Sequence, residues 1–354
     1  RHFCNVFPCA HDGNHDRCRI PACRHCTVRR VAVIGAGLSG LVAARELREC
    51  SEVTVFEKSR GYGGRMATRY GGGFEFDHGA QYFTARSAEF QRFLEPLIAQ
   101  GAVASWNARF AELDRDALAT TRDWDDAFPH YVGAPRMNAI GRHLANGLTI
   151  RPNTTLAHLH READGWSLAD SDGNALGHFD WVVCALPAAQ TAALVPPRSR
   201  LHQLAEEVQM RACYALMLGF DRPLRLPWQA ALVNGADISW ISVNSSKPRR
   251  AKKFTLVVHS TNAYADANLE THASAIQDHL LREVSEVTGV DCGQASFCQL
   301  QRWRYANAEK QSGPACLVDE EMQLAGCGDW FRHGRVEAAF SSGLEVAGKL
   351  RTKR

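Results

Sequence analysis

The first chemistry legible in this sequence is a run of apolar residues that breaks into glycines. Val31-Ala32-Val33-Ile34-Gly35-Ala36-Gly37-Leu38-Ser39-Gly40 reads as a β-strand, a tight turn and the start of a helix. In such a Gly-x-Gly-x-x-Gly turn, Gly35 permits the sharp exit from the strand, Gly37 lets the backbone approach a pyrophosphate, and Gly40 lets the helix pack close to the sheet. The helix would begin at Leu38 and Ser39 with its N-terminus towards the phosphates. Leu41, Ala44 and Leu47 follow at helical spacing, and Val53-Thr54-Val55-Phe56 reads as a second strand. That strand ends in Glu57, 22 residues after Gly35, where a carboxylate can accept hydrogen bonds from an adenosine ribose. The chemistry implied is the holding of a dinucleotide.

The residues that follow narrow the choice of dinucleotide. Glu57-Lys58-Ser59-Arg60-Gly61-Tyr62-Gly63-Gly64-Arg65 is Glu-x5-Gly-Gly-Arg, in which a second glycine pair brings backbone to the cofactor and a guanidinium can reach its pyrophosphate. Lys58, Gly64, Arg65 and Met66 therefore join the candidate contacts. This pattern resembles two-domain flavoproteins. With Met66-Ala67-Thr68-Arg69 and Phe76-Asp77-His78-Gly79-Ala80-Gln81-Tyr82-Phe83-Thr84-Ala85-Arg86-Ser87, it is similar to the renalase family, particularly its bacterial members. Tyr131-Val132-Gly133 with Met137-Asn138, Asp180 to Pro187, Tyr214 to Leu218, Ser245 to Pro248, Arg302 to Ala306 and Gly328-Asp329-Trp330 fit that family in order, over about residues 28 to 350. Tyr62, where the family often has a proline, and Phe331-Arg332-His333-Gly334, which replaces a more glycine-rich link, depart from it.

The resemblance implies a non-covalent FAD touching Gln81, Tyr82, Phe83, Thr84 and Ala85, with adenine against the backbone near Thr155 to Ala157. It implies an oxidase that converts the 2- and 6-dihydro isomers of NAD(P)H to NAD(P)+ and reduces dioxygen to hydrogen peroxide. Hydride transfer needs orientation more than an acid or a base, which suits a chain with no recognisable catalytic triad or carboxylate pair. The candidates for holding a nicotinamide are Gln81, Tyr82, Trp240, Asn244, Trp303 and Arg335. A related FAD-dependent amine or polyene oxidoreductase is the alternative enzyme, and a metal-binding interaction protein the alternative outside enzymes.

A third cofactor segment lies near the C-terminus. Asp329, after Gly328, can bind ribitol hydroxyls, and a helix from about Val336 would turn its first amides towards the flavin pyrimidine, where negative charge accumulates on reduction. Ala338 and Ala339 are small enough for close approach.

The elements that must position these segments follow from periodicity. Phe90, Phe93, Leu94, Leu97 and Ile98 predict an amphipathic helix stopped by Gly101, and Ile276, Leu280, Val284 and Val287 share the face of another. Strands are expected at about 148–150, 154–160, 166–169, 181–184, 214–220, 238–243 and 254–259. The fold expected is α/β, a two-domain FAD-binding fold of the Rossmann-like, p-hydroxybenzoate hydroxylase and amine oxidase kind with a mixed-sheet substrate domain. Residues 28–87, 136–195 and 315–354 are assigned to the FAD-binding domain, and 88–135 and 196–314 to the substrate domain. The basic run Lys247-Pro248-Arg249-Arg250-Ala251-Lys252-Lys253 is read as a solvated hairpin loop, with attraction of a phosphorylated substrate as the competing reading.

With 41 basic and 38 acidic side chains the formal charge is only +3, so no global field draws the chain to nucleic acid. No apolar run is long enough to cross a bilayer and no secretory signal opens the sequence, so no membrane association and a cytoplasmic location are expected. Residues 1–27 stand apart in composition, with Cys4, Cys9, Cys18, Cys23 and Cys26 among histidines. They are read as an appended or upstream segment outside the fold, with a small zinc site as the competing reading; no metal site is assigned. The seven remaining cysteines are expected as reduced, mostly buried thiols, none of them a nucleophile.

Overall fold

The computed structural model describes residues 28–352, so the N-terminal Cys/His-rich segment and the zinc reading attached to it lie outside the described residues. A six-stranded sheet forms the first layer, in the order Cys316–Asp319, Leu324–Cys327, Trp181–Cys184, Arg29–Ile34, Ser51–Phe56, Thr149–Arg151. All its neighbours run parallel except the Cys316–Asp319 edge. Val31, Val33, Val53, Val55, Val182 and Val183 supply the apolar runs that a parallel sheet covered on both faces needs. Chain segments far apart in sequence thus meet in one sheet, which is how three cofactor segments can share one site. A three-stranded antiparallel meander, Leu156–Arg161, Trp166–Asp170 and Ala175–Phe179, returns the chain to it.

The second layer is a seven-stranded mixed sheet in the order Phe297–Ala308, Met210–Phe220, Phe254–Ser260, Ile238–Val243, Ala230–Asn234, Arg109–Asp114, Ala117–Asp123. Its single parallel pair joins Ala230–Asn234 to Arg109–Asp114. The helix Ala273–Thr288 lays Ile276, Leu280, Val284 and Val287 on this sheet and ends at Gly289 in the left-handed region, as its period predicts.

Two helices differ from the sequence assignment. Ala88–Ala99 packs Phe90 and Phe93 on Phe340 of the last helix, with ring centroids 5.0 and 4.5 Å apart, and Arg200–Glu207 buries Leu201 and Ala205 with Ala32, Ile34 and Val182. Both were placed with the substrate sheet and both pack on the first layer. Periodicity reveals that a helix has an apolar face but not which sheet covers it. Among the described residues no helix is long and apolar enough to cross a membrane. Of the seven described cysteines, Cys184, Cys213, Cys292, Cys316 and Cys327 are buried and only Cys50 is exposed. Burial pushes the Cys213 and Cys327 thiols up to about 12, which leaves them unreactive at neutral pH.

Candidate active site

A cavity of about 2040 Å³ opens between the two layers, well above the size of a pocket for one drug-sized ligand. Part of its lining is made by the two glycine turns, which pack backbone against backbone. Gly37 bridges Gly63, the Gly63 amide donates to the Ala36 carbonyl at 2.8 Å, and a Cβ on Gly64 would sit 3.2 Å from the Gly37 Cα. Glu57 ties the turns together. Its buried carboxylate accepts from the Ala36 amide and from the Ser59 amide, both at 2.8 Å. The helix Leu38–Leu47 starts at Gly37 with no side-chain cap, and a Cβ on Gly37 would meet no atom within 4 Å. Uncapped amides of Leu38 and Ser39 beside this open space are the donor set a dinucleotide pyrophosphate requires, so the residues present fit such a group. Thr155, Leu156 and Ala157 line the other end of the same cavity.

The helix Val336–Arg351 supplies a second open N-terminus. It also lacks a side-chain cap, and Val336, Ala338 and Ala339 line the cavity. Its Glu337 accepts from the Arg86 and Ser87 amides at 2.9 and 2.8 Å, and so splices the segment after Thr84 to the last helix. Ser342 accepts from the Gly328 amide at 2.7 Å, which holds the turn carrying Asp329. Arg65 and Asp329, the residues expected on pyrophosphate and ribitol, both line the cavity and are joined: the Arg65 guanidinium pairs with the Asp329 carboxylate at 2.5 Å and donates to the Ala306 carbonyl at 2.9 Å.

One wall of the cavity is a buried polar network. The Gln81 amide is fully engaged: its oxygen accepts from Ser242 at 2.7 Å and from the Lys247 ammonium at 3.1 Å, and its nitrogen donates to the Asp77 and Gly79 carbonyls at 2.5 and 3.0 Å. Behind it Asp77 accepts from Arg250 at 2.5 Å and lies 3.7 Å from Lys247. Burial lowers the Lys247 ammonium to about 7 despite that carboxylate. Asp77 stays below the usual carboxylate range because Lys247 and Arg250 outweigh the opposing effect of its burial. Burial also lowers His78 and His259 to about 4, so the two imidazoles on this wall are neutral at physiological pH. Two expectations fail here. Asn244 does not line the cavity; it is buried and accepts from Lys247 at 3.0 Å. Nor is the basic run simply a solvated loop or a substrate magnet, since Lys247 and Arg250 turn inward onto Asp77 while Arg249, Lys252 and Lys253 face water. A dense charge run looks the same in sequence whichever way its side chains point.

Aromatic side chains continue the lining beside this network. Tyr82 lies against Trp124, His130 and Trp240, with ring centroids 4.9, 5.0 and 5.5 Å away, and Trp124 stacks on His130 at 3.7 Å. Trp303 stacks on His78 at 5.0 Å and donates to its carbonyl at 3.0 Å. Trp240 lines the cavity, and among the described residues its buried indole N–H has no partner, nor do the buried His78 Nδ1 and His130 Nδ1. Sequence reasoning missed His78 and His130; nothing in their spacing sets them apart from core residues. Of the other expected contacts, Gly35, Lys58, Met66, Phe83, Thr84, Gly328 and Arg335 line the cavity, whereas Gly40 and Ala85 do not. Gly40 serves packing, because a Cβ there would fall on the Gly35 carbonyl oxygen.

Comparison with known proteins agrees with this geometry. Residues 33–97 match the model of an NAD(P)-binding Rossmann-like domain, and residues 86–351 match that of flavin-containing amine oxidoreductases. The chain is 22% identical to mouse renalase over 347 residues, covering 90% of this chain and 97% of that protein. It is 38% identical to a 4,4'-diapophytoene desaturase (4,4'-diaponeurosporene-forming) of Staphylococcus aureus, over 77 residues that make up 19% of this chain and 15% of the desaturase. Wild-type putrescine oxidase bound to putrescine superposes with a TM-score of 0.70 at 14% identity, covering 92% of this chain and 100% of that one. The match over three quarters of the chain, on a cavity lined by two uncapped helix starts, shows that this protein belongs to the flavin-containing amine oxidoreductase family.

Proposed function

We propose that the protein binds FAD non-covalently and oxidises the 2- and 6-dihydro isomers of NAD(P)H to NAD(P)+, with dioxygen leaving as hydrogen peroxide. When bound, the flavin supplies the hydride acceptor and the route for electrons to dioxygen. Support for non-covalent binding comes from Cys213, the one cysteine on the cavity wall among the described residues, whose thiol burial holds at about 12. The observation that carries the choice of substrate is the charge of the wall. Ten arginine or lysine residues line it against four carboxylates. All four carboxylates are engaged elsewhere: Glu57 on the Ala36 and Ser59 amides, Asp329 on Arg65, Glu337 on the Arg86 and Ser87 amides, and Glu345 on Lys349. A protonated amine would find repulsion here and no anion to hold it. A flat, uncharged dihydropyridine carrying phosphates suits the same surfaces. Tyr82 and Trp240 offer faces to its ring. His78 and His259, both neutral, carry no acidic imidazolium proton, in keeping with a step that needs orientation alone.

Anaerobic mixing of the flavin-loaded protein with each dihydropyridine isomer tests this. The 2- and 6-dihydro isomers should bleach the flavin in a rapid phase, and ordinary 1,4-dihydro NADH and primary amines should act far more slowly. Rapid bleaching by amines or by a polyene with none by the isomers would replace this reading with the amine or polyene alternative.

A further inference from the structure

We infer that Arg86, Arg332, His333 and Arg335 form a diphosphate-binding subsite on the cavity rim, outside the ring pocket, which grips the phosphates of the substrate; this rests on the reading of the substrate as a dihydropyridine nucleotide. Chain connectivity brings the four together. Glu337, at the start of the last helix, holds the Arg86 amide at 2.9 Å; the Arg335 amide donates to the His333 carbonyl at 2.7 Å; and the Gln311 amide donates to the Arg332 carbonyl at 2.6 Å, which draws Lys310 to the same edge. All four line the cavity, and the three arginines are exposed.

Their mutual closeness shows in His333. Burial lowers its proton affinity, the charges of Arg335, Lys310 and Arg86 lower it further, and Asp329 opposes them only in part. Arg335 also acts on Tyr82, which places the cluster next to the aromatic wall. None of Arg86, Lys310, Arg332 or Arg335 makes an ion pair among the described residues. Like charges gathered on one edge repel one another, and an anion relieves that repulsion. Three arginine forks suit the several oxygens of a diphosphate better than a single carboxylate. The pyrophosphate of the cofactor already has its donors at the Gly35–Ser39 turn, so the rim cations remain for a second diphosphate. The segment 331–334, which departs from the glycine-rich link of the renalase pattern, supplies two of the four residues.

The test uses the full chain loaded with flavin and titrated with ADP-ribose, a diphosphate without a nicotinamide, following flavin fluorescence and calorimetric heat. Binding should weaken steeply as salt is raised, because the contacts are exposed and screened. Arg86→Glu and Arg335→Gln should each raise the ADP-ribose dissociation constant by about tenfold or more, the scale of a hydrogen bond to a charged group. In turnover, each should raise KM for the dihydropyridine dinucleotides more than for the phosphate-free dihydronicotinamide riboside. Affinity for ADP-ribose that ignores both salt and the substitutions would overturn the proposal. So would loss of flavin from the variants with ADP-ribose affinity intact, which would give the rim to the diphosphate of the cofactor. If ADP-ribose binds as expected but no dihydropyridine isomer is oxidised, the subsite stands and the reading of the reaction falls.

Discussion

Glu57 shows how one side chain can serve the fold and a ligand together. Its carboxylate accepts from the amides of Ala36 and Ser59, so it sets the distance between the two glycine turns before any ribose arrives. An ionised carboxylate has about four acceptor positions, and two remain for ribose hydroxyls. Glu57→Ala should therefore weaken FAD binding by about 1.5–3 kcal/mol, the usual loss for hydrogen bonds to a charged group, and lower the thermal midpoint as well. Equilibrium dialysis of FAD against the variant measures this, and an unchanged dissociation constant would mean that Glu57 acts on the fold alone. The acid was legible because strand, turn and spacing agree on its place. Arg65 and Asp329 were legible as cavity residues but not as a pair, since 264 residues separate them and no local pattern reports their contact. Lys247 was misread because exposure cannot be seen in a charge run, and Asn244 because its inward contact with Lys247 leaves no mark on the spacing.

At the level of elements, the close contact between the first and last helices decides whether the cofactor cavity closes correctly. Gly343 in Val336–Arg351 lies against Leu38–Leu47, and a Cβ there would fall on the Ser39 carbonyl oxygen. Gly348 in the same helix is exposed, and a Cβ there would meet nothing within 4 Å. The pair makes an internal control. Gly348→Ala should be neutral or stabilise by about 0.5–1 kcal/mol through helix propensity, whereas Gly343→Ala should destabilise by about 1–3 kcal/mol through overpacking and also weaken flavin binding, because Ser39 sits at the phosphate turn. Urea midpoints and FAD dissociation constants of the two variants check both halves. If Gly343→Ala matched Gly348→Ala in both measurements, the close packing would carry no weight. Long amphipathic helices and apolar strands such as Ile238–Val243 were legible at nearly their true bounds. The packing of Ala88–Ala99 and Arg200–Glu207 was not, because it depends on which layer the chain reaches next.

Across the whole molecule, the ionisable groups between the layers make stability depend on pH in one direction. His78 and His259 titrate near 6.5 in an unfolded chain and near about 4 in the folded one, because burial disfavours their charged forms. Between those values the unfolded chain binds protons that the folded chain does not. Stability from these groups therefore rises with pH across that window and is lost as pH falls from about 6.5 towards about 4, by up to about 1.4 kcal/mol per pH unit for each histidine. Asp77, held below the usual carboxylate range by Lys247 and Arg250, adds a further loss only under more acid conditions, below its unfolded value. Lys247, lowered from 10.5 to about 7, has the same sign in a higher window: its contribution improves as pH rises from about 7 to 10.5. Urea midpoints should thus fall steadily from pH 7 to pH 5, with the sheet-to-sheet interface as the source. His259→Gln removes one of the two most strongly shifted imidazoles, keeps an amide near Gln81, and should flatten that fall in the same window, with the smaller shifts of His130, His143 and His333 left in place. A midpoint independent of pH in the native protein, or an undiminished slope in His259→Gln, would show that the buried histidines between the layers do not set the acid limit of the fold.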